Sequence, residues 1–205
     1  VTESGELWMW GVLYDDRRGG SSDSEVPKRI EGLPPITAFT IGSRTYPGVH
    51  HMFALAKDGS VWTWGFNALG QLGNGTTEPV PVPKKINLPP AVSIAAGGNN
   101  GVAVLADGTV RVWGANDSST MANGQNAQGD SFPNPTPVAG ITGAASVTAG
   151  LGHIIVQMKN GTLRTWGHDG WGQAGMGTHG GYQMKPATPK LTGVKASFAA
   201  QNRCF

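Results

Sequence analysis

Apolar residues in this chain fall into short runs of strand length, separated by polar turns that are rich in Gly, Asp and Asn. In the clearest stretch, the weakly alternating segment 92–97 precedes the apolar run 102–106, the dipeptide Asp107-Gly108 and a third run over 109–113. Short runs bounded by turn residues are typical of β-strands, and Asp-Gly predicts a tight hairpin because both positions tolerate positive φ. No segment of ten or more residues shows helical periodicity, so the pattern predicts an all-β fold.

The third run is one copy of a motif that the chain contains four times. In this motif a Gly and an aliphatic residue precede a closing Trp-Gly pair. Successive closing tryptophans are separated by 54, 49 and 53 residues. A period of about 50 residues built from short strands is typical of β-propellers, in which each unit buries its faces against its neighbours. We therefore expect the recurring indoles to pack between adjacent blades. They belong to Trp10, Trp64, Trp113 and Trp166.

A proline near an apolar residue closes each unit, at Pro27, Pro83, Pro137 and Pro189. Because proline lacks an N–H it suits an edge strand, and the pattern predicts four-stranded antiparallel blades whose last strand lies at the edge. The chain would hold about four blade units within a single repeat domain over 1–205. We place them at about 36–90, 91–143 and 144–194, with a partial unit over 1–35 and the start of another over 195–205.

These partial units leave three ways of closing the propeller. The first begins just before a third strand and the last stops just after a first strand, so the two together nearly complete one blade. The chain could close its own ring, two or more copies could join head to tail, or the repeats could form part of a larger propeller. Propellers of four to eight blades accommodate all three arrangements.

Composition narrows the classes of partner. An apolar content of 39% with seven Trp is too high for a disordered chain, and a net charge of +2 gives no reason to expect nucleic acid. No apolar run reaches 18 residues, so no membrane insertion is expected. The single Cys204 cannot form an internal disulfide, and a charged fraction of 14% favours an extracellular or virion-surface setting.

The residues that could carry chemistry do not assemble into a recognisable site. His50 or His51 could bind a metal with His153, but adjacent residues on a strand point to opposite faces, and no Cys or His cluster has ligand spacing. Neither a Gly-x-Ser-x-Gly elbow nor a phosphate-binding loop is present. The sequence therefore predicts no catalytic, cofactor or metal site, and a propeller lyase or hydrolase is the alternative from another class.

The binding candidates are exposed aromatic and basic residues outside the regular strands, since Trp, Tyr and Arg make interface hot spots. One group lies around the loop that follows the fourth Trp-Gly pair, a second in the irregular segment 14–20, and a third on the rim beside the closing prolines. Rim lysines could attract an acidic partner, or only protect an edge strand from aggregation. The groups comprise His168, Trp171, His179 and Tyr182; Tyr14, Arg17 and Arg18; and Lys84 and Lys85.

Two stretches, 94–114 and 64–75, resemble the regulator of chromosome condensation repeat family, the second as its glycine-rich loop after Trp-Gly. The resemblance implies a β-propeller, usually of seven blades, that serves mainly as a protein-interaction platform. Members that catalyse nucleotide exchange on a small GTPase use an additional wedge, and no equivalent insertion is present here. We therefore expect a non-catalytic scaffold that recognises a protein partner through its loops. The alternative among binding proteins is a structural or receptor-binding component of a virion or cell-surface fibre, for which head-to-tail self-association would be natural.

The family's histidine after its Ala-Gly turn is matched by His50 and His153, whereas Asn100 and Cys204 occupy that position in the other copies. In a longer or closed propeller the next segment would cover this position. Cys204 is then expected to be a protected thiol that behaves as a small core residue.

Overall fold

The strands form one antiparallel sheet per repeat in the computed structural model, which describes residues 1–16, 20–43, 50–126, 129–200 and 203–204. The fold class predicted from the sequence is confirmed. The first nine strands are β1 (Trp8–Asp16), β2 (Gly20–Arg29), β3 (Ile36–Ser43), β4 (His50–Ala56), β5 (Val61–Gly65), β6 (Val80–Lys85), β7 (Ala91–Ala96), β8 (Asn100–Leu105) and β9 (Val110–Ala115). The remaining strands are β10 (Ser131–Pro137), β11 (Ala144–Ala149), β12 (His153–Met158), β13 (Leu163–His168), β14 (Tyr182–Ala187), β15 (Ala199–Ala200) and β16 (Arg203–Cys204).

Three of the sheets have four strands in simple meander order, β3-β4-β5-β6, β7-β8-β9-β10 and β11-β12-β13-β14, which we call blades 2, 3 and 4. The two-stranded sheet β1-β2 precedes them as blade 1, and the hairpin β15-β16 follows them. Within the described ranges no helix has the length and hydropathy to cross a bilayer.

The last strand of each meander lies at the edge of its blade, as predicted, and carries its prolines where no neighbour needs their N–H. The position of this strand differs from the expectation in blade 4. There β14 ends at Ala187, before the closing Pro189, and the proline inside the strand is Pro186.

Each Asp-Gly or Asn-Gly hairpin is held by its own polar side chain. Oδ1 of Asp107 accepts from the N–H and hydroxyl of Thr109 at 2.8 and 2.7 Å, and Asp58 and Asn160 bind Ser60 and Thr162 in the same way. Such Asx turns favour the chain reversal locally, before any blade packs. The predicted hairpins are therefore confirmed by their own hydrogen bonds.

The glycine of the Trp-Gly pair is required by close approach of the neighbouring strand. Gly65, Gly114 and Gly167 have φ of 104°, 100° and 107°, a region that L side chains rarely adopt. A Cβ at these positions would also overlap a carbonyl oxygen at the start of the adjacent strand or in the turn just before it. The repeated glycine thus allows the chain to leave the strand and begin its long loop.

Blades pack face to face through apolar clusters. Phe53 and Leu55 of blade 2 meet Ala103, Leu105 and Trp113 of blade 3, and a similar cluster joins blades 3 and 4. Inner strands of neighbouring blades are also joined by hydroxyls: the N–H of Val147 donates to Oγ of Ser93 at 3.1 Å and that of Ala199 to Oγ1 of Thr148 at 2.9 Å.

The inter-blade role expected for the recurring indoles holds for three of the four. Trp64, Trp113 and Trp166 are at most 3% exposed, whereas Trp10 is 65% exposed, so the expectation for Trp10 is wrong in this chain. The indole of each blade packs against the blade before it. Trp10 stands on β1, and among the described residues no blade lies against its indole.

Candidate functional site: the loop face

Three long loops leave β5, β9 and β13 at the same end of their blades and cover residues 66–79, 116–130 and 169–181. We call this surface the loop face. The first two loops each contact the outer strand of the following blade: the N–H of Gly75 donates to the carbonyl of Pro133 at 2.9 Å, and that of Gly124 to the carbonyl of Met184 at 3.1 Å. The loops therefore form one continuous surface across the blades.

A buried amide or carboxylate two residues after the Trp-Gly glycine organises each loop. Oδ1 of Asn67, Asn116 and Asp169 accepts the N–H of the residue five positions later, at 2.9, 3.1 and 2.8 Å. Nδ2 of Asn67 also donates to the carbonyls of Thr76 and Glu78, both at 2.9 Å. Sequence reasoning missed this role, although the fixed offset from the glycine was the available signal.

The first two of these loops are also held by a buried indole of the following blade. Nε1 of Trp113 donates to the carbonyl of Gln71 at 2.7 Å, and Nε1 of Trp166 to that of Thr120 at 2.8 Å. An indole N–H that is buried needs such a partner, and here the partner is a loop carbonyl. Blade packing and loop conformation are thus coupled through one hydrogen bond per blade.

The fourth blade carries the aromatic candidates on this face. The Trp171 side chain is 77% exposed, and the backbone N–H of Trp171 donates to Oε1 of Gln173 at 2.8 Å. Nε2 of Gln173 in turn donates to Nδ1 of His168 at 3.0 Å, and the His168 ring meets the Tyr182 ring edge-on at 5.5 Å. The structure therefore gathers His168, Tyr182 and Gln173 beneath the projecting Trp171.

Two of these candidates are not loop residues as predicted. His168 ends β13 and Tyr182 begins β14, and the two are directly paired across the strands. Strand pairing fixes both half-buried rings at the base of the loop. His179 is exposed within the loop itself.

Lys84 and Lys85 are exposed, but they lie at the opposite end of blade 2 from the loop face. They pair with Thr63 and Trp62, near the Asp58-Gly59 hairpin. The Asp58 pKa lies below its usual value, first because Ser60 donates to its carboxylate and also because Lys85 is close. The predicted binding residues therefore divide between two separate surfaces.

The described residues of the segment predicted as a binding loop over 14–20 lie in strands. Tyr14 lies within β1, and Asp16 pairs with Gly20. β1 and β2 continue their antiparallel pairing where the sequence lost its repeat pattern. Arg17 and Arg18 lie outside the described residues.

The inner turns, which lead into the second strand of each blade, carry a row of buried polar groups. The histidine of this row in blade 2 is His51 rather than the predicted His50. His51, Asn100 and His153 each pair with the Trp-Gly glycine of their own blade, whereas His50 precedes that position. Nε2 of His51 donates to the carbonyl of Asn100 at 3.2 Å. Burial lowers the pKa of both His51 and His153 to about 4.

Cys204 continues this row. Its Sγ lies 3.3 Å from Nε2 of His153 and donates to the carbonyl of Gln173 at 3.1 Å. Burial of the sulfur raises the pKa of the thiol to about 11, although the residue as a whole is exposed, so the full coverage expected for it is not reached in this chain. Among the described residues, no three His, Cys, Asp or Glu side chains converge as metal ligands.

Replacing Asn67 by alanine is expected to destabilise the protein by about 1 to 3 kcal/mol, because it leaves several buried backbone groups without partners. Urea unfolding measures this change. Asn87→Ala, at an exposed position between β6 and β7, is the matched control and should change stability by less than about 0.5 kcal/mol. Equal effects of the two substitutions would contradict the organising role of Asn67.

Comparison with known proteins agrees with this architecture. Residues 58–104 and 91–120 match the family described as Regulator of chromosome condensation (RCC1) repeat. The E3 ubiquitin-protein ligase HERC2 of Mus musculus is 30% identical over 207 residues, which cover 98% of this chain and 4% of HERC2. The Ultraviolet-B receptor UVR8 of Arabidopsis thaliana is 32% identical over 197 residues, which cover 95% of this chain and 43% of UVR8.

Among solved structures, yeast RCC1 (Prp20) bound to Kap60 superposes with a TM-score of 0.77 at 19% identity, over 96% of this chain and 48% of that chain. Prp20p from Saccharomyces cerevisiae, described with its binding properties to Gsp1p and histones, superposes with a TM-score of 0.66 at 20% identity, over 96% of this chain and 63% of its own. The likeness to these structures shows the fold. The chain spans less than half the length of the HERC2 and UVR8 relatives.

Proposed function

Because this chain belongs to the RCC1-repeat family of β-propeller proteins, we propose that it is a protein-binding scaffold that captures its partner on the loop face. The observation that carries the proposal is Trp171. It is a large aromatic side chain, 77% exposed, that projects from a loop whose base is held by several hydrogen bonds. Exposed Trp on a preorganised loop is typical of interface hot spots, since little entropy is lost when it becomes buried.

The charge of the loop face indicates what kind of polypeptide it suits. Its three loops contain no Lys or Arg and four acidic residues, Glu78, Asp117, Asp130 and Asp169. Such a surface repels acidic partners and attracts neutral or basic ones. The relatives agree in kind, because the yeast protein is described in complex with Kap60 and with binding to Gsp1p and histones. An extracellular or virion-surface setting stays a prediction from composition.

Partner capture from the native source, followed by binding kinetics, tests the proposal. Trp171→Ala is expected to abolish capture while leaving the melting temperature almost unchanged, because an exposed residue stabilises the complex more than the fold. Val82→Ala is the control, since Val82 is 56% exposed on the edge strand β6, away from the loop face. Replacing Lys84 and Lys85 by alanine should change association little, because both lie at the opposite end of blade 2 from the loop face.

Two outcomes would overturn the scaffold assignment. One is a partner that binds all loop-face variants with unchanged affinity. The other is a turnover activity that is lost when a His or Asp of the inner turns is changed.

A further inference from the structure

Gln173 holds the loop beneath Trp171 through both ends of its side-chain amide. Its Oε1 accepts the backbone N–H of Trp171 at 2.8 Å, and its Nε2 donates to Nδ1 of His168 at 3.0 Å. Because a backbone N–H can only donate, the amide oxygen must face Trp171 and the amide nitrogen must face the imidazole. Nδ1 of His168 is therefore the acceptor, and the proton of the neutral ring lies on Nε2.

The equivalent loop of blade 2 keeps the first of these two hydrogen bonds. Gln71 aligns with Gln173, and its Oε1 accepts the backbone N–H of Leu69 at 2.8 Å. Phe66 stands where blade 4 has His168, and the buried Nε2 of Gln71 has no hydrogen-bond partner among the described residues. This loop therefore forms without an imidazole, and the bond to His168 is a feature that blade 4 adds.

Blade 3 varies the same positions again. Thr120 occupies the glutamine position, and its hydroxyl donates at 2.9 Å to the carbonyl of Ala115, the residue that aligns with His168. In these three described loops, that of blade 4 is the one whose glutamine is hydrogen-bonded to a histidine. Blades 2 and 3 each pack against a following blade, so the arrangement that the loops share does not require an open side.

A proton on Nδ1 of His168 would place two donors against each other. Nε2 of Gln173 would then face an N–H across the 3.0 Å that the hydrogen bond now spans. If the amide turned to offer its oxygen to the charged ring, its nitrogen would face the backbone N–H of Trp171 instead. The one amide oxygen cannot lie at both ends of the group, so protonation of His168 breaks a bond in the support of Trp171 in either orientation.

Titratable and charged groups surround the His168 ring on the elements packed against it. They are Tyr182 on β14, Asp169 next in the chain, His153 on β12, Asp117 in the adjoining loop of blade 3 and, across His153, Arg203 and Cys204 on β16. Burial first, and then the charge of His168, lower the pKa of His153 to about 4, so His153 stays neutral at weakly acidic pH. Burial raises the pKa of the Cys204 thiol to about 11, so this group also keeps its proton there.

We propose that His168 and Gln173 are positioning residues for Trp171, and that protonation of His168 breaks their support, so that partner capture weakens as the pH falls. The proposal rests on the proposed function, in which Trp171 contacts the partner. Histidine is the side chain whose charge ordinarily changes between about pH 5 and 8, so the response falls near neutrality. Loss of one hydrogen bond beneath a hot-spot residue should lower the affinity by about five- to tenfold.

Nuclear magnetic resonance of the free chain tests this response without any partner. On acidification from about pH 7.5 to about pH 5.5, the backbone amide of Trp171 and the side-chain amide of Gln173 should shift with the same midpoint as the His168 ring. The amide of Leu69, which is bound to a glutamine in the same way, is the internal control and should keep its position. The variant His168→Phe copies the residue of blade 2, and in it the Trp171 amide should no longer respond to pH.

Partner capture measured at the same two pH values extends the test to binding. The loss of affinity at the lower pH should be absent from His168→Phe and from Gln173→Thr, which copies blade 3. The variant His179→Gln changes the exposed histidine of the same loop and should keep the full loss. Because one partner is used throughout, titration of the partner's own groups is common to all variants.

Two results would overturn this proposal. One is a Trp171 amide that keeps its position while the His168 ring titrates, and the other is a His168→Phe variant that retains the full pH dependence of capture. A free chain that shows the coupled shifts but captures no partner would instead overturn the proposed function. The two proposals therefore fail in distinguishable ways.

Discussion

Replacing Trp113 by alanine is expected to lower the free energy of unfolding by about 3 to 5 kcal/mol, as for other fully buried aromatic side chains. The Trp113 ring has no exposed surface and packs at 5.6 Å from the Phe53 ring of the preceding blade. Its Nε1 also holds the carbonyl of Gln71 in the neighbouring loop. Truncation would open a cavity between two blades and leave a buried carbonyl without its partner, and urea unfolding measures the sum.

Two further variants separate these contributions. Trp113→Phe keeps most of the ring but removes the N–H, so we expect a smaller loss of about 1 to 3 kcal/mol. Trp171→Ala removes the same side chain from an exposed loop and should change stability by less than about 0.5 kcal/mol. Equally mild unfolding curves for Trp113→Ala and Trp171→Ala would show that Trp113 does not join the blades.

Lowering the pH from 7 to 4 is expected to cost about 3 kcal/mol of stability through His51. Burial holds the pKa of His51 near 4, whereas in the unfolded chain it has its ordinary value near 6.5. Between pH 6.5 and pH 4 the imidazole of His51 is therefore protonated in the unfolded state and neutral in the folded state. The free energy of unfolding falls as the pH drops through this range. His153, whose pKa is lowered to about 4 for the same reason, acts in the same direction.

The variant His51→Asn provides the control, since Asn100 occupies the equivalent position in blade 3. Unfolding free energies measured at several pH values from 7 to 4 should show a shallower dependence for this variant. Asp58 and Asp107 do not confuse the result. Their pKa values are lowered below 3.8, so the stability they contribute is lost only at more acidic pH. An unchanged pH slope for His51→Asn would contradict the assignment.

Local features were predictable because the chemistry that causes them is local. The Asp107-Gly108-Thr109 turn closes its own hydrogen bonds, so the hairpin and its two strands could be predicted without any neighbour. The edge strand was predictable from its prolines, apart from where it ends in blade 4. The candidate site was predictable only in part: Trp171 stands out as a loop aromatic, but nothing near it in the sequence indicates that Gln173 and His168 form its support.

What the sequence determined by itself was the repeat, the strand and turn order within it, and the all-β propeller class, because a period of Trp, Gly and Asx residues encodes backbone geometry directly. Tertiary structure decided which copies of the repeat are buried. Trp10 and Trp113 occupy the same position in the repeated motif, yet Trp10 is 65% exposed and Trp113 is fully buried. Burial depends on whether a blade lies against the face that carries the indole. Strand register places the side chain of His51, rather than that of His50, in the interior. Register also sets Lys84 and Lys85 far from Trp171. Sequence spacing records neither the direction in which a side chain points nor the distance between blades.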